Sequence, residues 1–257
     1  MDEQTRRTWD EYWSDQTPTV CSRTMTQILD RIKLEHLGPT LPQTGRLVEV
    51  GCGSGRLSVL LAARGHHTVC VDYSLAALEA ARRNYRTVRV AGQFVAADAF
   101  RLPFPEGTFD AVLSTGLIEH FADPFPLVLE MTRVLRSRGV FYADIVPRKF
   151  SLFRSLDWLG RVKRAVGGAA EGPGELFERS FTPQEIRDLL DRAGLENPRV
   201  FPAGVVPPYI PILYRSRRLR DAQVRLVERT QALWKALDGT WVAEWLGFYY
   251  FAWAIKP

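Results

Sequence analysis

Three stretches of the sequence predict a doubly wound α/β fold. In the first, Leu47-Val48-Glu49-Val50 has strand character and runs into the glycine-rich turn Gly51-Cys52-Gly53-Ser54-Gly55 before Arg56. The second is Leu57–Gly65, which reads as a helix closed by glycine and leads into a short strand, His67–Val71, ending on Asp72. The third is the continued alternation of strand-like and helix-like segments through residue 147. A strand, a glycine turn, a helix and a strand, with an acid 21 residues past the first glycine (51 to 72), hold a nucleoside at the carboxyl end of a parallel sheet.

The residue types fit that chemistry. Glycines permit unusual backbone angles and close approach of main-chain atoms to a ligand. A helix starting near Ser54–Arg56 presents unpaired N–H groups to a negative group. Asp72, at a strand tip, can accept from both ribose hydroxyls. The spacing G-x-G-x-G, with Arg56 where a dinucleotide site wants other chemistry, departs from G-x-G-x-x-G, and Glu49 would repel a pyrophosphate while suiting an ammonium.

Glu49-x-Gly51-x-Gly53-x-Gly55 resembles the first motif of class I S-adenosylmethionine-dependent methyltransferases, and Val71-Asp72-Tyr73-Ser74 resembles their second. Leu102-Pro103-Phe104-Pro105, followed by Phe109-Asp110, resembles a third feature of that family, in its small-molecule, quinone-biosynthesis type. The resemblance covers residues 45–147 and is specific for the cofactor, not for the acceptor. It implies a Rossmann-like sheet of seven strands, mostly parallel with an antiparallel last strand, carrying helical cap insertions. It also implies an S-adenosylmethionine site, with S-adenosylhomocysteine as product, an activity of class EC 2.1.1, and no metal. The site would comprise Glu49, Gly51, Cys52, Gly53 and Gly55 in the first turn and Asp72, Tyr73 and Ser74 after the second strand. Asp98 would bind the adenine amino group, with Ala99 and Phe100 beside the ring. Ser114, Thr115, Gly116 and His120 would line the far edge, and Tyr12 would reach in from the N-terminal arm.

Taken in order, residues 1–44 form an arm: aromatic Trp9–Trp13, a helix from about Arg23 to His36, a stop at Gly38-Pro39, and a linker. In the resembled family such an arm folds over the cofactor, so Tyr12 or Trp13 is a candidate ligand contact. His36 reads as a surface residue. Ser74 caps a helix over Leu75–Asn84, Gln93–Ala97 is the third strand, and Ala111–Leu113 lies in the fourth. Glu119-His120 follows that strand, and the pair is the candidate general base, histidine titrating near neutrality beside an orienting carboxylate. Pro124–Arg138 reads as an amphipathic helix ended by Gly139, and Val140–Val146 as strand five. A helical piece, Leu152–Val166, and a glycine-rich stretch, 167–174, precede the helix start Thr182-Pro183-Gln184-Glu185. Leu195–Phe201 is strand six, a helix spans Ile212–Leu237, and Phe248–Ile255 is strand seven. The whole, 1–257, reads as one domain: arm 1–44, core 45–147, cap insertions 147–180 and 202–247, last strand 248–257.

Composition sets outer bounds. The chain has 257 residues, 46% of them hydrophobic, enough for a full core. Cys21, Cys52 and Cys70 form no C-x-x-C and read as free thiols with no zinc site. The polar start Met1–Arg7 lacks an apolar leader, and no run nears ~20 apolar residues, so a cytoplasmic protein without a span is expected. Net charge is +5, owed largely to arginines such as those in Arg215–Arg220. Val206-Pro207-Pro208-Tyr209 lacks the leading Asn or Asp of amino-methyltransferases of nucleic acids and reads as a loop.

The first reading is methyl transfer to a small apolar or aromatic acceptor, by a monomer or homodimer that binds no nucleic acid. The alternatives are an RNA or protein methyltransferase landing on the basic helix near 215–230, or a non-catalytic scaffold whose basic amphipathic helix contacts a membrane or partner.

Overall fold

The structure is a computed structural model that describes residues 3–14, 20, 24–147, 150–152, 155–156, 178–208 and 216–257. Seven strands form one sheet in the order β3-β2-β1-β4-β5-β7-β6. They are β1 (Arg46–Val50), β2 (His67–Asp72), β3 (Gln93–Ala96), β4 (Phe109–Thr115), β5 (Leu135–Ile145), β6 (Glu196–Ala203) and β7 (Tyr249–Ile255). The first five pair parallel, and β7 inserts antiparallel between β5 and β6. The expected architecture is the observed one, down to the reversed last strand.

Helices cover both faces, as a parallel sheet requires. On one side α5 (Phe125–Val134) and α6 (Pro183–Arg192) pack on a core that includes Val48, Val112, Phe141 and Ala252. On the other, α2 (Met25–Leu37), α3 (Arg56–Ala62) and α7 (Arg217–Lys235) pack on Leu47, Leu113, Tyr142 and Phe251. α4 (Leu75–Val88) closes a third cluster with Leu78 and Tyr85 against Cys70. Strand alternation therefore sends odd residues of β1 and β4 and even residues of β5 to the α2 side. That parity fixes which polar residues gather where the sheet ends.

Several elements differ from the sequence reading. The aromatic opening is a helix, α1 (Glu3–Ser14), docked along α4. α5 stops at Val134, not Arg138: Leu135 turns to extended backbone and pairs with Phe109, and Arg138 takes φ 60°. Burial of Leu135 and the Arg136–Asp110 ion pair outweigh the helical propensity of residues 135–138. His36 is not a free surface residue, since its Nε2 lies 2.7 Å from Asp238 Oδ2 and its ring packs on Phe201 and Phe251. A short helix, α8 (Trp241–Leu246), was not expected. The capping box at Thr182 and Glu185 is present as read. Cys52 and Cys70 are buried free thiols. Cys21, most of Leu152–Val166, the stretch 167–174 and residues 212–215 lie outside the described residues. No helix among the described residues is long and apolar enough to cross a membrane.

Candidate active site

The glycine turn is built by backbone demand. Gly51, Gly53 and Gly55 all take positive φ (66°, 51° and 62°), a region that costs other residues about 1–2 kcal/mol each. Cys52 N donates to Val71 O at 3.0 Å, tying the turn to the end of β2. Space is as tight as the backbone. A Cβ on Gly51 would stand 2.7 Å from Leu117 Cδ1, and one on Gly53 would stand 2.5 Å from Trp13 Cζ2. Gly53→Ala is therefore expected to lower the melting temperature, with a loss of about 1–3 kcal/mol from backbone strain and the displaced indole. An unchanged melting curve would show that the turn tolerates a side chain.

Asp72 stands at the tip of β2, its Oδ2 accepting from Gly53 N at 2.8 Å and its Oδ1 from Ser74 N at 2.9 Å. Each oxygen keeps a lone-pair direction for a further donor. Burial raises its pKa, against the pull of the Ser74 and Gly53 N–H groups. Ser74 caps α4 by accepting from Ala77 N, and its own hydroxyl donates to Asp10 Oδ1 of α1. Ala76 N also donates to Asp10 Oδ1, so the arm's carboxylate sits at the positive end of α4. Arg6 lies over the Tyr73 ring at 5.8 Å. Asp98 Oδ1 accepts from Phe100 N at 3.0 Å, which shapes the turn after β3.

Beyond the turn the cavity meets buried charges. Glu49, at 1% exposure, accepts from Ser58 N and Oγ with Oε2 and from Thr115 Oγ1 (2.9 Å) with Oε1. Burial raises its pKa while those donors hold it down. The Lys33 ammonium of α2 lies 3.0 Å from Asp144 Oδ1 at the end of β5 and 4.5 Å from the centre of the Tyr249 ring. Burial works against the ammonium, but Asp144, with Tyr249 and Asp30, outweighs it and raises the Lys33 pKa. Asp30 in turn binds Arg56 at 3.0 Å. Asp144 Oδ2 is buried without a partner.

The Glu119-His120 pair is split. His120 lines the cavity and meets Trp9 edge-on at 5.0 Å. Glu119 turns away, its Oε1 accepting from Val146 N at 3.0 Å and its Oε2 buried without a partner. Burial lifts its pKa from 4.5 to about 7, with Asp144 and Glu178 adding repulsion against backbone donors. The folded pKa exceeds the unfolded one, so the folded state holds the proton more tightly and stability falls as pH rises between about 4.5 and about 7. That interval corresponds to about 3 kcal/mol. Glu119→Gln is expected to flatten this decline in melting scans from pH 5 to pH 8; an unchanged slope would assign it elsewhere.

These groups surround one cavity of about 430 Å³ along the carboxyl edge of the parallel strands. Glu49, Gly51, Cys52 and Gly53 line it from the first turn, and Asp72, Tyr73, Ser74, Asp98 and Ala99 from the next two. Thr115, Gly116, His120 and Tyr12 close it. The structure places four candidates off its wall. Gly55 caps α3, where a Cβ would stand 3.0 Å from Ala81, and Phe100 packs edge-on against Phe121 at 5.1 Å. Ser114 is buried on the other sheet face, and Glu119 is turned to β5. None of the described residues of 147–180 or 202–247 lines the cavity; α7 packs beside α2, with Glu228 bound to Arg31 and Lys235 to Glu35. The apolar lid comes from Trp9, Trp13, Leu29, Phe121, Phe248 and Tyr249.

Sequence reasoning missed Lys33, Asp30 and Asp144. The signal available was Lys33 inside the α2 apolar stripe, four residues from both Leu29 and Leu37. A cation there needs a buried partner.

The methyltransferase domain family model matches residues 48–143. A malonyl-[acyl-carrier protein] O-methyltransferase of Geobacter sulfurreducens is 30% identical over 210 residues, 79% of this chain and 73% of that protein. A demethylmenaquinone methyltransferase of Thermus thermophilus is 35% identical over 161 residues, 58% of this chain and 73% of that one. Among solved structures, a SAM-dependent methyltransferase of Thermotoga maritima, described as a possible histamine N-methyltransferase, superposes with a TM-score of 0.56 at 21% identity over 91% of each chain.

Proposed function

Because the chain belongs to the class I S-adenosylmethionine-dependent methyltransferases, we propose that it transfers a methyl group to a small apolar or aromatic metabolite. The observation that supports this is the cavity itself: one end is the glycine turn with Asp72 and Asp98, and over the rest an aromatic enclosure covers a floor where Lys33 is paired with Asp144 and Arg56 with Asp30. Its volume of about 430 Å³ suits a nucleoside ligand with a modest acceptor and excludes a folded macromolecule from the interior.

The residues present fit the cofactor. Asp72 keeps a lone-pair direction on each oxygen for ribose hydroxyls, and Asp98, which lines the same cavity, is the proposed partner of the adenine amino group. Gly51 and Gly53, both left-handed, keep side chains out of the space against the turn. Glu49 holds the turn rigid through Ser58 and Thr115 and gives that end negative potential suited to an ammonium and a sulfonium. Bound S-adenosylmethionine supplies an electrophilic methyl group on a positively charged sulfur. The protein's own part is alignment and exclusion of water. Tyr12 meets both Trp9 and Trp13 edge-on, and the three rings form an aromatic wall over the cavity. His120, which lines the cavity edge-on to Trp9, is the proposed base for a hydroxyl acceptor, while Glu119 is engaged with Val146 N.

With S-adenosylhomocysteine saturating, a panel of phenols, quinols and hydroxylated polyketides is expected to contain compounds that raise the melting temperature further, by mass action. A panel without any such compound, beside stabilisation by bulk tRNA or by a protein, would overturn the reading.

A further inference from the structure

The outward face of α7 is unlike the rest of the surface. From Arg217 to Ala236 the exposed residues are Arg217, Arg218, Leu219, Ala222, Arg225, Leu226, Arg229, Ala232, Leu233 and Ala236. They are four arginines, three leucines and three alanines, with no carboxylate among them. The leucines are 50%, 63% and 71% exposed, although the opposite face, through Val224 and Val227, already supplies the helix with its core contact. The acids of the helix lie off this face: Glu228 binds Arg31, and Asp221 lies beside Arg220. Arg217, Arg218, Arg225 and Arg229 make no ion pair among the described residues. Five residues on, α8 presents Trp241 and Trp245, 78% and 70% exposed and one turn apart.

Leu219, Leu226 and Leu233 repeat every seven residues, which raises the question of a second copy. A paired seam needs apolar residues at two positions of each heptad. The positions four residues after Leu219 and Leu226 are Gln223 and Thr230, both polar, and the positions three residues after the leucines are Ala222, Arg229 and Ala236, two small and one charged, so neither register gives a continuous apolar seam. Four arginines facing four others would also repel. Nucleic acid would use the arginines, and a single strand could stack on the tryptophans, but it would leave the three exposed leucines unmatched.

An anionic bilayer matches both halves of the face. Leucines enter the boundary between head groups and acyl chains, arginines meet lipid phosphates, and tryptophans favour that same depth. We propose that α7 and α8 form a peripheral docking surface for an anionic phospholipid membrane. This stands independently of which acceptor is methylated.

The test is vesicle co-sedimentation of the full chain with phosphatidylcholine alone and with roughly 30 mol % phosphatidylglycerol. The protein is expected to pellet with the anionic vesicles, to do so less at high salt, and to stay in solution with the neutral ones. Leu226→Glu/Leu233→Glu is expected to weaken binding about tenfold or more, and Arg218→Gln/Arg225→Gln/Arg229→Gln to abolish the preference for anionic lipid. Both variants alter only exposed side chains, so unchanged circular dichroism and S-adenosylhomocysteine affinity check their folding. Failure of the folded wild type to bind anionic vesicles would overturn the proposal. So would wild-type-like binding by the leucine variant, or a face that instead supports a dimer or an acidic carrier protein.

Discussion

Asp72→Ala is expected to lose S-adenosylhomocysteine affinity by a hundredfold or more. Two hydrogen bonds from ribose hydroxyls to a carboxylate, at about 1.5–3 kcal/mol each, would account for a factor on the order of 10² to 10⁴. A second effect acts in the same direction. Gly53 N and Ser74 N donate to the two oxygens of Asp72, so the glycine turn and the start of α4 both lose an anchor. Asp72→Asn separates the contributions, since its amide keeps one acceptor but presents a donor to one of those N–H groups. It is expected to bind more weakly than wild type and more tightly than the alanine variant. Titration calorimetry reads all three proteins; an alanine variant with wild-type affinity would remove Asp72 from the site.

The largest effect on stability is expected at Lys33. Lys33→Met leaves Asp144 fully buried with neither oxygen paired, and removal of one partner of a buried ion pair costs about 3–5 kcal/mol. For a chain of this size that lowers the melting temperature by on the order of 10 °C. The pH dependence gives the cause away. Without the ammonium, the folded pKa of Asp144 rises further above its unfolded value, so the variant's deficit shrinks as pH falls and deepens as pH rises. Lys33→Met/Asp144→Asn removes both charges and is expected to recover much of the loss. A single variant as stable as wild type at pH 8 would mean that the pair contributes nothing.

The same pair shows where sequence reading stops. Glycine spacing, Asp72 after the second strand and the Thr182–Glu185 capping box are local signals, because backbone angle and capping act over a few residues. They locate the sheet, its cofactor edge and the side of the cavity wall built by the glycine turn and Asp72. Lys33 and Asp144 lie 111 residues apart and meet only because β5 pairs beside β4 while α2 crosses that face. The sequence marks residues 1–44 as a helical arm but does not delimit α1 within it, because α1 is polar and short and its anchors are tertiary, Asp10 on the start of α4 and Trp13 on Gly53. The end of α5 was misplaced because residues 135–138 suit a helix locally, whereas pairing of Leu135 with Phe109 decides otherwise. Glu119 and His120 look alike in sequence as a catalytic pair, yet the short turn after β4 sends one inward to Val146 and the other into the cavity.

Methyl transfer to a small molecule is tested most directly by turnover with methyl-labelled S-adenosylmethionine and a mixture of phenols, quinols, polyketides, bulk tRNA and protein. The products are then separated into organic-extractable, nucleic-acid and protein fractions. Label is expected in the organic fraction, and for hydroxyl acceptors turnover by His120→Ala is expected to fall by more than its cofactor affinity does. Label in the RNA or protein fraction, or none by a folded protein that binds S-adenosylhomocysteine, would contradict small-molecule transfer.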